Sequence, residues 1–537
     1  MTAKATTAKA KAAKAIAANA MTAKAVAMPA RLAIACLFVL GCAAAAPPPT
    51  SGPSQASAVA KTVAAPASEP PVDRSRLTPD APFRQAAPLP GPEPTFRPPP
   101  WKRFKLKNGL EVFLVEFHDL PLVNFNLMVK IGGAANPPDR AGLADLTAHM
   151  LDEGTKTRSA LGIADELAGL GASLSTGSTW DASNVSLQTL SKNLDPALKV
   201  FADVVQNPAF DGKEFARVRD NLLTAITRRK DSPPTVANLA LVRLLYGGKH
   251  PYGWPMAGVE ASIKKLAIAD LKSFYDTAYR PNNTALIVAG DTTEPALRTK
   301  LEASFGKWRG KKVPPKKLPA PSSAATATKV FLIDKADAPQ SSIRVGTVGI
   351  ERTNPDYYAV TIMNLVLGGG FYRLDLNLRE GKGWTYGARS TFETRKTPGP
   401  FSAGGEFVAP HTSDAVGEIL KEIGGMRDAD VTDAELQRAK DQLVKSYPAR
   451  FATRANVAAQ LAELAVFGLP DSTITEYTAK IAAVTKDDVR RVARRYLDPG
   501  RFTIVVVGDQ KTLTVPLAKI APVEIRDLDG EPVERPQ

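Results

Sequence analysis

Past its first hundred residues the chain switches between two hydrophobic periodicities. Gly109 to Glu116, Val123 to Ile131, Val330 to Asp334, Ser342 to Gly349 and Tyr386 to Phe392 alternate with period two, which predicts strands with one face buried. Ala285 to Ala289 and Thr503 to Val507 are short continuous apolar runs, each closed by Gly-Asp, and read as buried strands. Between them, Pro196 to Val205, Lys213 to Arg229, Val416 to Met426 and Ala434 to Lys445 carry apolar residues at helical spacing.

These elements occur twice. Pro121, Asn136-Pro137, Asp270 and Gly290-Asp291 recur as Pro339, Asn354-Pro355, Asp488 and Gly508-Asp509, at a constant offset of 218 residues. A constant offset between matching features is the signature of duplication. The expectation is an α+β fold of two homologous α/β sandwich domains, since strands and helices do not alternate strictly enough for a doubly wound parallel sheet. The first domain is placed at 101–312, an exposed Pro/Lys/Ser/Ala linker at 313–327, the second domain at 328–522 and a tail at 523–537.

The N-terminal hundred residues have a different composition. Met28-Pro-Ala-Arg, the apolar run Leu32 to Leu40 and Gly41-Cys42 form a secretory signal, so 1–42 reads as an address rather than a fold. Its end, Val39-Leu-Gly-Cys42, resembles a bacterial lipobox, which implies lipidation at Cys42 and a tether from the membrane. The Ala/Lys/Thr-rich stretch 1–27 is an over-long basic n-region, or precedes a true start at Met28. Residues 43–100 hold 16 of the 44 prolines and cannot bury enough apolar surface to order themselves.

Composition then narrows the classes. With 537 residues, 44% hydrophobic and 23% charged, the chain supports several ordinary cores. Its two cysteines, Cys36 and Cys42, exclude a disulfide framework. The net charge of +15 raises a polyanion partner, but six of those charges lie in residues 1–41. Arg490-Arg491 and Arg494-Arg495 read as a solvated helix face without aromatic interleaving, so no nucleic-acid partner is expected.

One constellation carries chemistry. Gly142 to Thr155 reads Gly-Leu-Ala-Asp-Leu-Thr-Ala-His-Met-Leu-Asp-Glu-Gly-Thr, after Gly132-Gly133 and Pro138. Further along come His250-Pro-Tyr-Gly253, Tyr279-Arg-Pro-Asn282, Leu367-Gly-Gly, Leu378-Arg-Glu380 and Trp384-Thr-Tyr-Gly387. As a set, over about residues 100–520, these resemble the pitrilysin/insulinase zinc peptidases, which include the mitochondrial processing peptidases. In that family the first helix bears the inverted zinc motif H-x-x-E-H. Two imidazoles one helical turn apart hold Zn²⁺, the glutamate between them activates a water, and a second glutamate about 75 residues on completes the ligands.

Here the resemblance implies a degenerate site. The first histidine position is Asp145, the catalytic glutamate is Ala148, and the last histidine survives as His149. The third ligand falls at Ala225 or Ile226, and no acid occurs between Asn221 and Lys230. Asp145 and His149 share a helix face at i,i+4 and offer two metal-capable groups, with neither a third ligand nor a base. By the same resemblance, Arg379 and Tyr386 match an arginine and tyrosine seven residues apart that hold the substrate backbone and stabilise its oxyanion.

The resulting expectation is a metal-free subunit of a heteromeric envelope peptidase. It binds extended peptide and supplies Arg379 and Tyr386 in trans to the zinc of a partner subunit of the family, with no cofactor of its own. It faces the periplasm, with the outer membrane favoured by the alanines after Cys42. Two alternatives stand beside it. One is a structural or binding homologue with no catalytic role; the other is an autonomous metallopeptidase using Asp145, His149 and an unforeseen third ligand. His118, His250 and His411, Ser178 and Ser186, and Gly368-Gly-Gly370 show no catalytic or phosphate-binding spacing.

Overall fold

The computed structural model describes residues 96–314, 317–321 and 327–533. The signal segment with Cys36 and Cys42, the tether up to residue 95, parts of the linker and the last four residues lie outside them. Two six-stranded mixed sheets organise the rest. The first takes β1 (Lys102–Lys105), β2 (Glu111–Glu116), β3 (Leu122–Val129), β4 (Ser173–Ser178), β5 (Ser183–Leu190) and β6 (Thr284–Gly290), in the order β1-β2-β6-β3-β5-β4. The second takes β7 (Lys329–Asp334), β8 (Gln340–Val348), β9 (Thr385–Phe392), β10 (Pro400–Val408), β11 (Thr503–Gly508) and β12 (Val523–Arg526), in the order β12-β7-β11-β8-β10-β9.

The 218-residue offset is preserved in the pairing register. Leu122 faces Leu190 as Gln340 faces Val408. Asn124 faces Ala289 as Ser342 faces Val507, and Glu111 faces Ala285 as Lys329 faces Thr503. A one-residue slip would turn every buried side chain outward, so three matched ladders mean one fold repeated. The copies part at their margins: β1 joins β2 antiparallel, whereas β12 joins β7 parallel.

Local chemistry explains the recurring residues. Asp270 and Asp488 each sit in the first turn of matching helices, Ile268–Ala278 and Lys486–Tyr496, and accept the N–H of Ala267 and Thr485. An acid there satisfies one orphan donor and the helix dipole together. Gly290 ends β6 at φ +154°, where a Cβ would lie 2.2 Å from the Leu122 carbonyl oxygen, so only glycine fits.

Each half covers the other's sheet. The Pro233–Tyr246 helix packs Val236, Ala237, Ala240 and Leu241 on Phe331, Ile333, Val505 and Val507 of the second sheet. Its counterpart Arg454–Phe467 puts Val457, Leu461 and Leu464 into one cluster with Phe113, Val115 and Ile287 of the first. The 393–399 loop adds a latch. Lys396 donates its backbone N–H to Asp181 Oδ2 at 3.1 Å and its Nζ to the carbonyls of Lys130 and Asp181 at 2.9 and 3.1 Å. At the far side of each sheet, β4 and β9 are edges that pair only inward, with β5 and β10.

Candidate functional site

The first half places the degenerate motif on a short helix, Leu143–His149. Gly142 starts it in the left-handed region at φ +93°, and Asn136 Oδ1 accepts the Ala144 N–H at 2.9 Å. The helix brings Asp145 and His149 together. His149 donates from Nδ1 to the Asp145 carbonyl at 2.8 Å, which leaves Nε2 as the lone-pair nitrogen on a ring that is 51% exposed. The Asp145 carboxylate lies 3.7 Å from the same ring; burial pushes its pKa up, and a proton on the His149 ring would oppose that. Asp152 is likewise raised by burial, against a hydrogen bond from Thr176.

Nothing completes a metal site here. Ala148 is fully buried, so the general-base position is chemically empty and packed over. Ala225 is exposed and Ile226 is part of the core. The acids of that helix are Glu214, which shares Arg217 with Glu153 from the segment after the motif helix, and the exposed Asp220, 4.0 Å from Arg219. Among the described residues no three His, Cys, Asp or Glu side chains converge on a point that a metal ion could occupy.

In the second half, Arg379 lies in a π-helical turn, Leu376–Gly381, a wider coil that is frequent at functional sites. Its guanidinium stands 5.5 Å from the Phe371 ring centroid, 3.8 Å from Asp375 Oδ2 and 3.3 Å from Glu380 Oε1. Gly383, at φ +67°, then turns the chain into β9. Tyr386 stands near the head of that strand, 90% exposed. Asp375 joins the two parts. Fully buried, it accepts the Phe371 N–H at 3.1 Å and the Ala388 N–H at 3.3 Å, and so fixes the π-turn against the edge strand.

Asp375 and Phe371 escaped the sequence reading. The available signal was Asp375 one helical turn before Arg379, at the i,i+4 spacing where an acid and an arginine meet. Phe371 had no signal. It follows Gly368-Gly-Gly370, takes φ +61° without being glycine, and leaves its ring 59% exposed. Strain of that kind persists only where the surroundings fix it.

Beside β9 runs a cavity of about 520 Å³, between Asn238 and Leu241 of the crossing helix and Gly387, Arg389, Thr391 and Gly405 of the second sheet. Among the described residues no hydrogen bond or ion pair joins the Asp145/His149 pair to the Arg379/Tyr386 pair.

The remaining sequence candidates have structural surroundings. His250 is buried between Tyr246 and Tyr252, accepts the Tyr252 N–H on Nδ1 at 3.0 Å, and is pushed down to about 4 by burial. His118 pairs with Asp291, and His411 stacks on Trp384. Ser178 bonds within its own hairpin, and Ser186 donates to Asn126. Arg491 and Arg495 both bind Asp356.

Comparison with known proteins agrees with the geometry. The model of the insulinase family, Peptidase family M16, matches residues 112–251, and that of the peptidase M16 inactive domain matches residues 265–443; together they span more than half of the chain. The chain is 28% identical over 342 residues to an uncharacterized zinc protease of Rickettsia felis, covering 63% of this chain and 81% of that one. It is 23% identical over 415 residues to another from Streptomyces coelicolor, covering 76% and 90%. Among solved structures, a peptidase M16 inactive domain from Pseudomonas fluorescens superposes with a TM-score of 0.70 at 29% identity, over 76% of this chain and 98% of that one. A protease from Helicobacter pylori shares the fold, with a TM-score of 0.71 at 21% identity over 77% and 100%.

Proposed function

Because this chain belongs to the pitrilysin/insulinase (M16) peptidase family and lacks a functional zinc motif, we propose that it is the metal-free subunit of a two-chain peptidase. In this reading it binds extended peptide and presents Arg379 and Tyr386 to the zinc site of a partner subunit of the same family. The observation that carries it is the arrangement around Asp375: a fully buried carboxylate pins the Arg379 turn to the strand whose head leaves Tyr386 90% exposed. A phenol so exposed keeps its hydroxyl open to donate to a ligand.

The chemistry follows from the groups. An extended peptide adds to the free edge of β9 by main-chain hydrogen bonds, its side chains entering the adjoining cavity. The guanidinium fork and the phenol then donate to the scissile carbonyl and to the charge that grows on it. The partner would supply the zinc and, with it, the activation of the attacking water. The signal segment and Cys42 support an envelope lipoprotein facing the periplasm.

The test is reconstitution with a zinc-bearing family member from the same envelope. Arg379→Ala or Tyr386→Phe should lower kcat by roughly tenfold to a thousandfold, the scale of one lost oxyanion donor, with the melting temperature of the Tyr386 variant unchanged. Unchanged turnover in both variants overturns the proposal. It would favour a second reading, a peptide-binding homologue with no catalytic role, which draws on the packed-over Ala148 and the likeness to the Pseudomonas fluorescens inactive domain.

A further inference from the structure

A second cavity, of about 570 Å³, opens where the Gly212–Arg229 helix ends against the Pro233–Tyr246 helix. Its walls contain none of Asp145, His149, Arg379 and Tyr386, and its charge is unevenly distributed. The first half contributes Arg229, Lys230 and Arg243. It also contributes Lys264 and one carboxylate, Glu260, which pairs with Lys264 at 2.6 Å and also feels the charge of Lys230. The carboxylates in direct contact with Lys230 and Arg243 come from a turn after the last strand, residues 527–531, which lies outside both spans matched by the family models. Lys230 Nζ meets Asp529 Oδ2 at 2.7 Å, and Arg243 meets Glu531 at 2.6 Å.

That turn is shaped as a ligand. Asp527 Oδ1 accepts the N–H of Asp529 at 2.9 Å and of Glu531 at 2.8 Å, so both acids are presented from one tight loop. Gly530, at φ +82°, lets the loop sit against Ala240, where a Cβ would be 3.3 Å from the Ala240 Cα. Yet the fit is incomplete. Arg243 Nε and Nη2 both fall on the single oxygen Oε1 of Glu531, at 2.8 and 2.6 Å, and its buried Nη1 has no partner. A guanidinium fork matches the two oxygens of a carboxylate, and here one oxygen is used. The Arg229 guanidinium has no hydrogen bond or ion pair among the described residues; burial pulls its pKa down, and Asp529 is the carboxylate that opposes this. The side chains of Asp529 and Glu531 are 49% and 48% exposed, so each pair is screened and individually weak.

We propose that this cavity is a binding site for an acidic peptide segment bearing two carboxylates two residues apart, and that the 527–531 turn occupies it as an internal competitor. The Trp254 ring, 4.1 Å from the Arg243 guanidinium, forms its floor and holds the fork in place. An incoming segment replaces two screened ion pairs and can add the Arg229 guanidinium as a partner, so the turn lowers apparent affinity by the fraction of time it is seated.

The experiment uses the full chain and a fluorescein-labelled peptide of the sequence 526–532, Arg-Asp-Leu-Asp-Gly-Glu-Pro, read by fluorescence anisotropy. The double variant D529N/E531Q should bind it on the order of tenfold more tightly than the parent chain. Adding Arg243→Gln should abolish that gain, and a peptide carrying Asn and Gln in place of its acids should not bind. No gain in the double variant, retained binding after Arg243→Gln, or equal binding of the amide peptide overturns the proposal. A second measurement does not depend on the variants folding. Saturating the parent chain with peptide should speed hydrogen exchange at the Asp529 and Glu531 amides, and unchanged rates also overturn it.

Discussion

The carboxylate of Asp375 has no solvent exposure and lies 3.8 Å from the guanidinium of Arg379, one helical turn further on. A buried carboxylate is expensive unless its lone pairs are used. Here the Phe371 and Ala388 N–H groups use them, so one acid couples a strained loop, a π-turn and an edge strand. Asp375→Ala leaves the buried Ala388 donor unpaired and frees the part-buried Phe371 donor, and should cost about 1–3 kcal/mol in denaturant unfolding. Asp375→Asn keeps an acceptor oxygen and should cost less. Equal midpoints for Asp375→Ala and the parent chain would show that the coupling is not structural.

How much of this was legible in the sequence depends on where the apolar pattern is strong. The seven predicted strands all formed, because β6, β11 and their neighbours are nearly pure hydrophobic signal. The strands β1, β4, β5, β10 and β12 were not read, β12 lying in the stretch taken for a tail. Ser173–Ser178 and Ser183–Leu190 are rich in serine and threonine, and the buried face of β5 (Ser183, Val185, Leu187, Thr189) mixes small polar with apolar residues, which blurs the period-two signal. The crossing helices were missed for another reason. Pro233–Tyr246 looks like an ordinary apolar stripe, and nothing local says that its partner sheet begins almost a hundred residues later. Of the candidate site, Arg379 and Tyr386 are named by motif spacing alone, and the linkage of Asp375 to Phe371 and Ala388 had no sequence signal, because it joins backbone N–H groups that a sequence does not display.

Metal removal separates a relic from a site. Asp145 and His149 offer two ligands, and the third position is occupied by an exposed Ala225 or a core Ile226. A metal that binds the native state stabilises it by mass action. Exhaustive chelation of the purified chain should therefore leave its melting temperature within about 1 °C, since two ligands give too little affinity to matter. A loss of several degrees, restored by added zinc, would establish a working metal site.

Acid sensitivity should trace in part to His250. Burial among Tyr246 and Tyr252, with Arg395 nearby, lowers its pKa from 6.5 to about 4 in the folded protein. As pH falls, the unfolded chain takes up the proton first, so the contribution of this group is complete above about 6.5 and declines until about 4. The loss is on the order of 2–3 kcal/mol. In His250→Asn the amide oxygen still accepts the Tyr252 N–H, but nothing titrates, so stability against pH should be flatter across that window even if its level is lower. An unaltered slope would assign the acid limb to other groups.

The reciprocal helix crossing has a consequence for cooperativity. Leu461 is buried in the Arg454–Phe467 helix of the second half, in one cluster with Phe113 and Ile287 of the first. Truncating it to alanine removes buried methyl groups and leaves a void, a change that costs about 2–5 kcal/mol in well-packed cores. If the halves were independent domains joined by a linker, that loss would fall on one of two separate transitions. Because each sheet is covered by the other half's helix, unfolding either half strips apolar surface from both. Scanning calorimetry of the parent chain and of Leu461→Ala should each give one transition, with the variant's moved down as a unit. A second, unmoved transition in the variant would mean that the two sheets melt separately and that the crossing helices are peripheral to their stability.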